Sequence, residues 1–266
     1  MPESWPFPWG ERTYLMGVLN VTPDSFSGDG MLASEERPEA RAQDIQSAGA
    51  DIVDVGGEST RPGHVRVPVE LELERTVPAI RRIARDLSVA VSIDTRKAQV
   101  AHKAVEAGAR IVNDVSGLSD PEMASVVAGA GVGLVVVHGH AAAGAKLLAS
   151  IARDLEATTE KALSAGVNGR MIAVDPGLGF GKNWRQNLEI MRRLRELRSL
   201  GFPIVIGPSR KATISHALGV ERDDRLEGTA ALVAIGIVNG ADVVRVHDVH
   251  FMREVARMTD ALARPH

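Results

Sequence analysis

The 266-residue chain has no cysteine, which excludes disulfides and thiolate-bound zinc. Basic residues do not exceed acidic ones: 31 Lys and Arg stand against 34 Asp and Glu, for a formal net charge of −3. That balance argues against a nucleic-acid partner or a membrane surface. Apolar runs stay short of the roughly 18 residues that a membrane-crossing helix needs, and no signal-like leader precedes the first strand. A soluble, cytoplasmic protein is the expectation. Linkers and low-complexity stretches are lacking, so residues 1–266 are read as one domain. Also missing is a G-x-G-x-x-G turn after the first strand. NVTPDS, residues 20–25, stands there instead, which argues against an open dinucleotide-binding sheet. Aromatic residues are only 3% of the chain, so one placed outside a core needs a reason.

What is present is a rhythm. Hydrophobic residues make up 44% of the chain and charged ones 24%, enough for a substantial core. Short Val- and Ile-rich runs recur at 14–19, 51–55, 89–93, 110–112, 132–137, 171–174, 203–206 and 242–246. Unbroken apolar runs are expected where both strand faces are buried. Helical spacing fills 38–49, 70–87, 97–107, 121–130, 150–165, 186–200, 211–218 and 225–239. Several of these segments meet a glycine at their end: Gly49, Gly108, Gly131, Gly166, Gly201 and Gly240, as helix C-termini do. Eight strands alternating with eight helices predict an α/β protein of the (β/α)8 TIM-barrel class. The Pro- and Trp-rich N-terminus, MPESWPFPWGER, is expected to wrap this scaffold.

In such a barrel the site is built at the C-terminal strand ends. Those ends are Asn20; Asp54; Asp94 with Thr95-Arg96; Asn113-Asp114; His138 and His140; Asp175; Ser209-Arg210-Lys211; and Arg245, His247 and Asp248. One polar strand end is ordinary helix capping, but eight at one mouth point to a site. Asp94, Asn113 and Asp175 in an apolar surround suit a ligand rich in N–H edges. Lys211 could donate to a ring atom or neutralise a carboxylate. Arg61, Arg245 and His247 suit phosphate, with Arg245 and His247 on one strand face. Asn20 with phosphate oxygens could hold Mg2+, which keeps waters and binds through substrate phosphates. His138-Gly139-His140 is read against a transition-metal site, because no His, Asp or Glu spacing closes a ligand set.

The strand ending at Asn20 runs into a loop of turn formers, and Phe26 is out of place among them. It reads either as a lid residue or as a ring packed on its own scaffold.

The segments VLNVTPDSFSGDG (18–30), DVGGESTRPG (54–63), VSIDTRKAQVA (91–101), IVNDVSG (111–117), DPGLGFGK (175–182), GPSRK (207–211), RLEGTAA (225–231) and VRVHDV (244–249) resemble the dihydropteroate synthases nearly end to end. That resemblance implies a transferase joining 4-aminobenzoate to 6-hydroxymethyl-7,8-dihydropterin diphosphate, with pyrophosphate released and dihydropteroate formed on the folate route. It implies that Asp94, Asn113, Asp175 and Lys211 hold the pterin, that Asn20 ligates Mg2+, and that Arg245 and His247 clamp the diphosphate. Thr60, Arg61 and Pro62, with Asp24, Phe26 and Phe180, would form the aminobenzoate side. Asn20, Asp24, Arg61, Lys211 and Arg245 are thus the candidate catalytic residues, and a homodimer through the later helices is implied. Because an aryl amine is a weak nucleophile, an SN1-like substitution behind closed, water-excluding loops is expected.

The chain also departs from the family pattern. Val137 stands where a pterin-facing Met is frequent, a small-residue loop follows His140, and Ala212 replaces the Ser common after the ring-binding Lys. The aminobenzoate carboxylate would then use backbone N–H groups at the helix start, with Ser209 or Thr213. Two rivals share the pattern in part. A pterin-binding methyltransferase domain lacks the TPDSF segment, and the presence of Arg61, Lys211 and Arg245 together argues against a non-catalytic pterin binder.

Overall fold

The computed structural model describes residues 5, 7–21, 37–59, 66–141, 146–221 and 225–264. Its strands are β1 (Tyr14–Asn20), β2 (Ile52–Gly56), β3 (Ala90–Thr95), β4 (Ile111–Asp114), β5 (Gly133–Val137), β6 (Ile172–Asp175), β7 (Val205–Ile206) and β8 (Val243–Val246). All pair in parallel, in the order β6-β5-β4-β3-β2-β1-β8-β7. A bridge between Val174 and Ile204 joins the two ends, so the sheet rolls into the expected eight-stranded barrel. β7 is shorter than its apolar run because Pro203 has no N–H to give a ladder.

The strands are apolar throughout because their alternating faces enter two separate cores. Leu15, Val53, Val91, Val112, Leu134, Ile172 and Val244 face outward into the layer shared with the helices. Met16, Ile52, Ile111, Val135, Ala173, Val205 and Val243 fill the barrel interior. The described N-terminal aromatics do not wrap the scaffold but plug the bottom of that interior: Trp5 is buried in the same cluster, and Phe7 stacks on Tyr14 at 4.6 Å between centroids. Tyr14 donates its hydroxyl proton to the Pro8 carbonyl at 2.6 Å. The scarce aromatics are thus concentrated where a wide mouth needs large side chains.

The helices are α1 (Pro38–Ser47), α2 (Val69–Asp86), α3 (Ala98–Glu106), α4 (Met123–Ala130), α5 (Leu147–Ser164), α6 (Trp184–Arg193), α7 (Ala212–Leu218), α8 (Leu226–Val238) and α9 (Val249–Ala263). Two expectations need correction. Segments 211–218 and 225–239 do not belong to successive strands, since α7 and α8 both lie between β7 and β8. The outer ring is completed by α9, which the apolar runs did not suggest. Its buried residues Val249, Met252, Ala256 and Thr259 are three or four apart, a helical stripe diluted by His and Arg. The segment 186–200 also divides, with a tight 3-10 stretch over Leu194–Leu200. The six glycines expected at helix ends all have positive φ, from 62° at Gly131 to 117° at Gly108.

Candidate active site

The register of β1 to β4 brings polar side chains into one row. Asn20 pairs with Gly56, Gly56 with Asp94, and Asp94 with Asn113. Gly56 leaves the wall open: a Cβ there would lie 3.6 Å from Asn20 Oδ1 and 3.7 Å from Asp94 Oδ2. A half-buried Asn20 therefore shares a wall with Asp94 although 74 residues separate them in the chain.

Behind this row lies a buried ion cluster. Arg245 donates from Nε to Asp54 Oδ2 and from its terminal nitrogen to Asp94 Oδ2, both at 2.7 Å. Asn113 Nδ2 adds a second donor to Asp54 Oδ2 at 3.0 Å. The sequence marks Asp54 only as a strand end; the fold buries it fully and makes it the anchor of Arg245 and Asn113. The remaining oxygens, Asp54 Oδ1 and Asp94 Oδ1, are buried and have no hydrogen-bond partner among the described residues. Burial pushes the Asp94 carboxyl above its ordinary range, the Arg245 charge opposes this, and neighbouring Asp54 adds to the rise.

The opposite wall comes from β5, β6 and the loops after β6 and β7. Asp175 accepts the Gly177 N–H at 2.7 Å and is raised to about 6 by burial, against the pull of that hydrogen bond and of Lys211. Lys211, just before α7, is pulled down to about 8 by burial and by the Arg245 charge, against Asp175 and Asp94. Its Nζ lies 5.2 Å from the Phe180 ring centroid, a cation–π contact. Val137 pairs with Asp175 across β5 and β6, and Val115, Val137 and Phe180 join the barrel interior cluster. Apolar side chains therefore stand beside hydrogen-bonding groups of both kinds at this end of the barrel, a lining suited to a flat heterocycle.

His247 is half-buried beside Ser209, with Nδ1 3.0 Å from Ser209 Oγ and its backbone N–H on that same oxygen at 3.2 Å. An Oγ–H donated to Nδ1 is the arrangement that leaves Nε2–H as the outward donor. Burial, with Arg245 and Arg210 nearby, lowers the imidazole to about 3, so it is neutral. Ser209 is thereby engaged. So is Thr213, which accepts from Asn187 Nδ2 at 2.9 Å. Ala212 is exposed at the first turn of α7. Asp24, Phe26, Thr60, Arg61 and Pro62 lie outside the described residues.

Two supporting groups escaped sequence reasoning. The ammonium of Lys182, nearly buried, donates to the carbonyls of His138, His140, Gly177 and Phe180 at 3.0–3.1 Å. It ties the end of β5 to the loop that carries Phe180. Gly177 permits this approach: its φ is 69° and a Cβ would stand 2.1 Å from the His138 carbonyl oxygen. Lys97 bridges Glu58 at 2.6 Å and Glu72, and Thr95 donates to Glu72 at 2.6 Å. This network fixes the start of the segment leading to Thr60. The sequence signals were Lys182 closing PGLGFGK and Glu58 in GGESTRPG.

Fold and side chains together define a (β/α)8 barrel whose polar and charged strand ends gather at the C-terminal mouth, where enzymes of this fold carry their sites. Residues 16–247 match the family described as pterin binding enzyme. The chain is 46% identical over 258 residues to the dihydropteroate synthase of Clostridium beijerinckii, covering 96% of each. It is 43% identical over 254 residues to that of Bacillus subtilis, covering 95% of this chain and 89% of the relative. A crystal structure of the dihydropteroate synthase from Clostridium difficile in the presence of pteroic acid superposes with a TM-score of 0.92 at 46% identity, covering 97% and 99% of the two chains. The enzyme from Xanthomonas albilineans with 4-aminobenzoic acid gives 0.89 at 38% identity, covering 94% and 93%. The chain belongs to the dihydropteroate synthase family, transferases of folate synthesis.

Proposed function

We propose that this chain condenses 6-hydroxymethyl-7,8-dihydropterin diphosphate with 4-aminobenzoate, giving 7,8-dihydropteroate and pyrophosphate. The observation that carries this reading is the gathering of buried Asp94, Asn113 and Asp175 with Lys211 at the strand ends that also carry the apolar Val115, Val137 and Phe180. An ionised Asp175 accepts from the N–H edges of the pterin, and Lys211 donates to a ring carbonyl or nitrogen. Relatives solved with pteroic acid and with 4-aminobenzoic acid agree with these substrates.

The chemistry is an ionisation-first substitution. The C–O bond to the diphosphate breaks, and pyrophosphate leaves with the electron pair. The cation is delocalised into the pterin. The aryl amine then forms the C–N bond and loses a proton. His247, neutral with Nε2–H outward, donates to the departing diphosphate, and Arg245 adds charge near it. Asp24, Phe26, Thr60, Arg61 and Pro62 cover and orient the aminobenzoate. With Ser209 and Thr213 engaged inside, its carboxylate rests on backbone N–H groups before α7.

A magnesium ion fits this donor set. Asn20 offers one amide oxygen at the mouth, and Mg2+ needs few protein ligands when waters and a diphosphate supply the rest. Bound there by Asn20, it supplies charge stabilisation to the leaving group.

A cytoplasmic homodimer completes the proposal. After Thr229, α8 carries no polar side chain, and Ile235 and Val238 on it are exposed, as are Phe251, Met258 and Leu262 on the neighbouring α9. A helical stretch apolar all round belongs in an interface. Ile235→Asp and Phe251→Asp should halve the mass seen by light scattering; an unchanged mass removes the dimer from the proposal. For the reaction, pyrophosphate release is measured with pterin diphosphate, Mg2+ and 4-aminobenzoate, omitting each in turn. Release of pyrophosphate from the complete mixture with no dihydropteroate formed overturns the condensation.

A further inference from the structure

We propose that His138, His140 and Asp154 form a second, structural metal site for a borderline divalent ion such as Zn2+, set on the outer side of the pterin wall. Sequence spacing offered only His138 and His140. The fold supplies the third ligand from α5: Asp154 Oδ2 lies 3.1 Å from His138 Nε2 and 3.3 Å from His140 Nε2. The three ligand atoms lie within 4.8 Å of one another. Ligand bonds of about 2.0 Å at a tetrahedral ion place neighbouring donors about 3.3 Å apart, so closing on an ion asks for little movement of Asp154.

The backbone holds both imidazoles in place. Residues two apart on an extended segment project to one side, and the two rings lie 4.0 Å apart at their centroids. Gly139 between them presses on the end of β4, where a Cβ would stand 2.2 Å from the Val115 carbonyl oxygen. Lys182 holds the carbonyls of His138 and His140 from behind.

Two imidazoles with one carboxylate select zinc-like ions over Mg2+, which prefers an oxygen shell. His138 is buried, whereas the His140 side chain is 61% exposed and Asp154 39%, so an ion has an entry path and an open position for water. His138 Nδ1 has no hydrogen-bond partner among the described residues. Without that outer support the site is expected to bind moderately.

The role that follows is mechanical. An ion here locks the end of β5 to α5, and through Lys182 to the loop bearing Gly177 and Phe180. The test uses tag-free full-length protein titrated with Zn2+ alone by calorimetry, with Mg2+ alone as comparison. His140→Ala and Asp154→Asn change side chains near the surface and keep the fold checkable by melting in metal-free buffer. Expected are a single equivalent of Zn2+, a higher Tm in its presence, no such effect of Mg2+, and about 10–100-fold weaker Zn2+ binding in each variant. The cluster is merely two imidazole–carboxylate hydrogen bonds, and the proposal is overturned, if the parent protein takes up no Zn2+ or if either variant binds it as the parent does.

Discussion

Arg245 and Asp54, 191 residues apart, meet inside the barrel with Nε 2.7 Å from Oδ2. The same guanidinium reaches Asp94. An anion clamp alone would let Arg245→Ala spare a pterin that lacks the diphosphate. The ion pairs change that expectation, because the variant leaves two buried carboxylates facing each other. Loss of about 3–5 kcal/mol of stability is expected, together with weaker binding of both ligands. The sign with pH follows from the carboxyls. Without Arg245 the folded value of Asp94, which burial already raises above the unfolded value of about 3.9, rises further, so the deficit is small at acid pH and grows as pH rises past it. Urea melts at several pH values check this. A deficit independent of pH would mean that the carboxylates are not its source.

Asp175→Asn should weaken a pterin analogue by about 1–3 kcal/mol, because an amide presents its own N–H to the ligand's donors. Since burial raises Asp175 to about 6, affinity in the parent protein should fall as pH drops through that value and the carboxyl takes up a proton. Calorimetric titration of both proteins across this range is the measurement, and unchanged affinity in the variant removes Asp175 from the ring contacts.

Lys182→Met tests positioning at a distance from the ring. Four carbonyl oxygens lose their donor, and about 2–4 kcal/mol of stability should go with it. Pterin affinity should fall as well, because the loops bearing Phe180 and Gly177 lose their tie. Normal affinity alongside a lowered Tm would confine Lys182 to holding the fold.

Phe26→Ala addresses the loop after β1. If Phe26 covers the aminobenzoate, KM for 4-aminobenzoate rises and kcat falls, while pterin affinity and Tm move little. Normal kinetics with a large drop in Tm would make it a packing residue.

The strand tips were legible because a polar residue ended each apolar run; Asn20, Asp94, Asn113 and Asp175 all stand at the mouth. Arg245 was legible as a site residue but not as a partner of Asp54, since pairing across the barrel depends on register and closure. Lys182 was hidden for another reason: its acceptors are carbonyls, which every residue has, so no side-chain pattern marks them. Asp154 sits mid-helix among charged neighbours, and only the packing of α5 against β5 brings it to His138. The N-terminal aromatics showed that something was buried there, not that the barrel bottom would bury it.

The barrel is a hoop with one weak joint. Seven neighbouring strand pairs are laddered, whereas β6 and β7 meet at the Val174–Ile204 bridge, with Val174 N–H on the Pro203 carbonyl at 2.9 Å. Asp175 ends the strand on one side of this joint and Lys211 follows the strand on the other. A heterocycle held by both spans the gap like a stitch, adding circumferential stiffness that the backbone there lacks. Amide exchange at Val174 should accordingly slow on binding a pterin more than at amides of the β2–β3 ladder, so that the ligand completes the ring that encloses it.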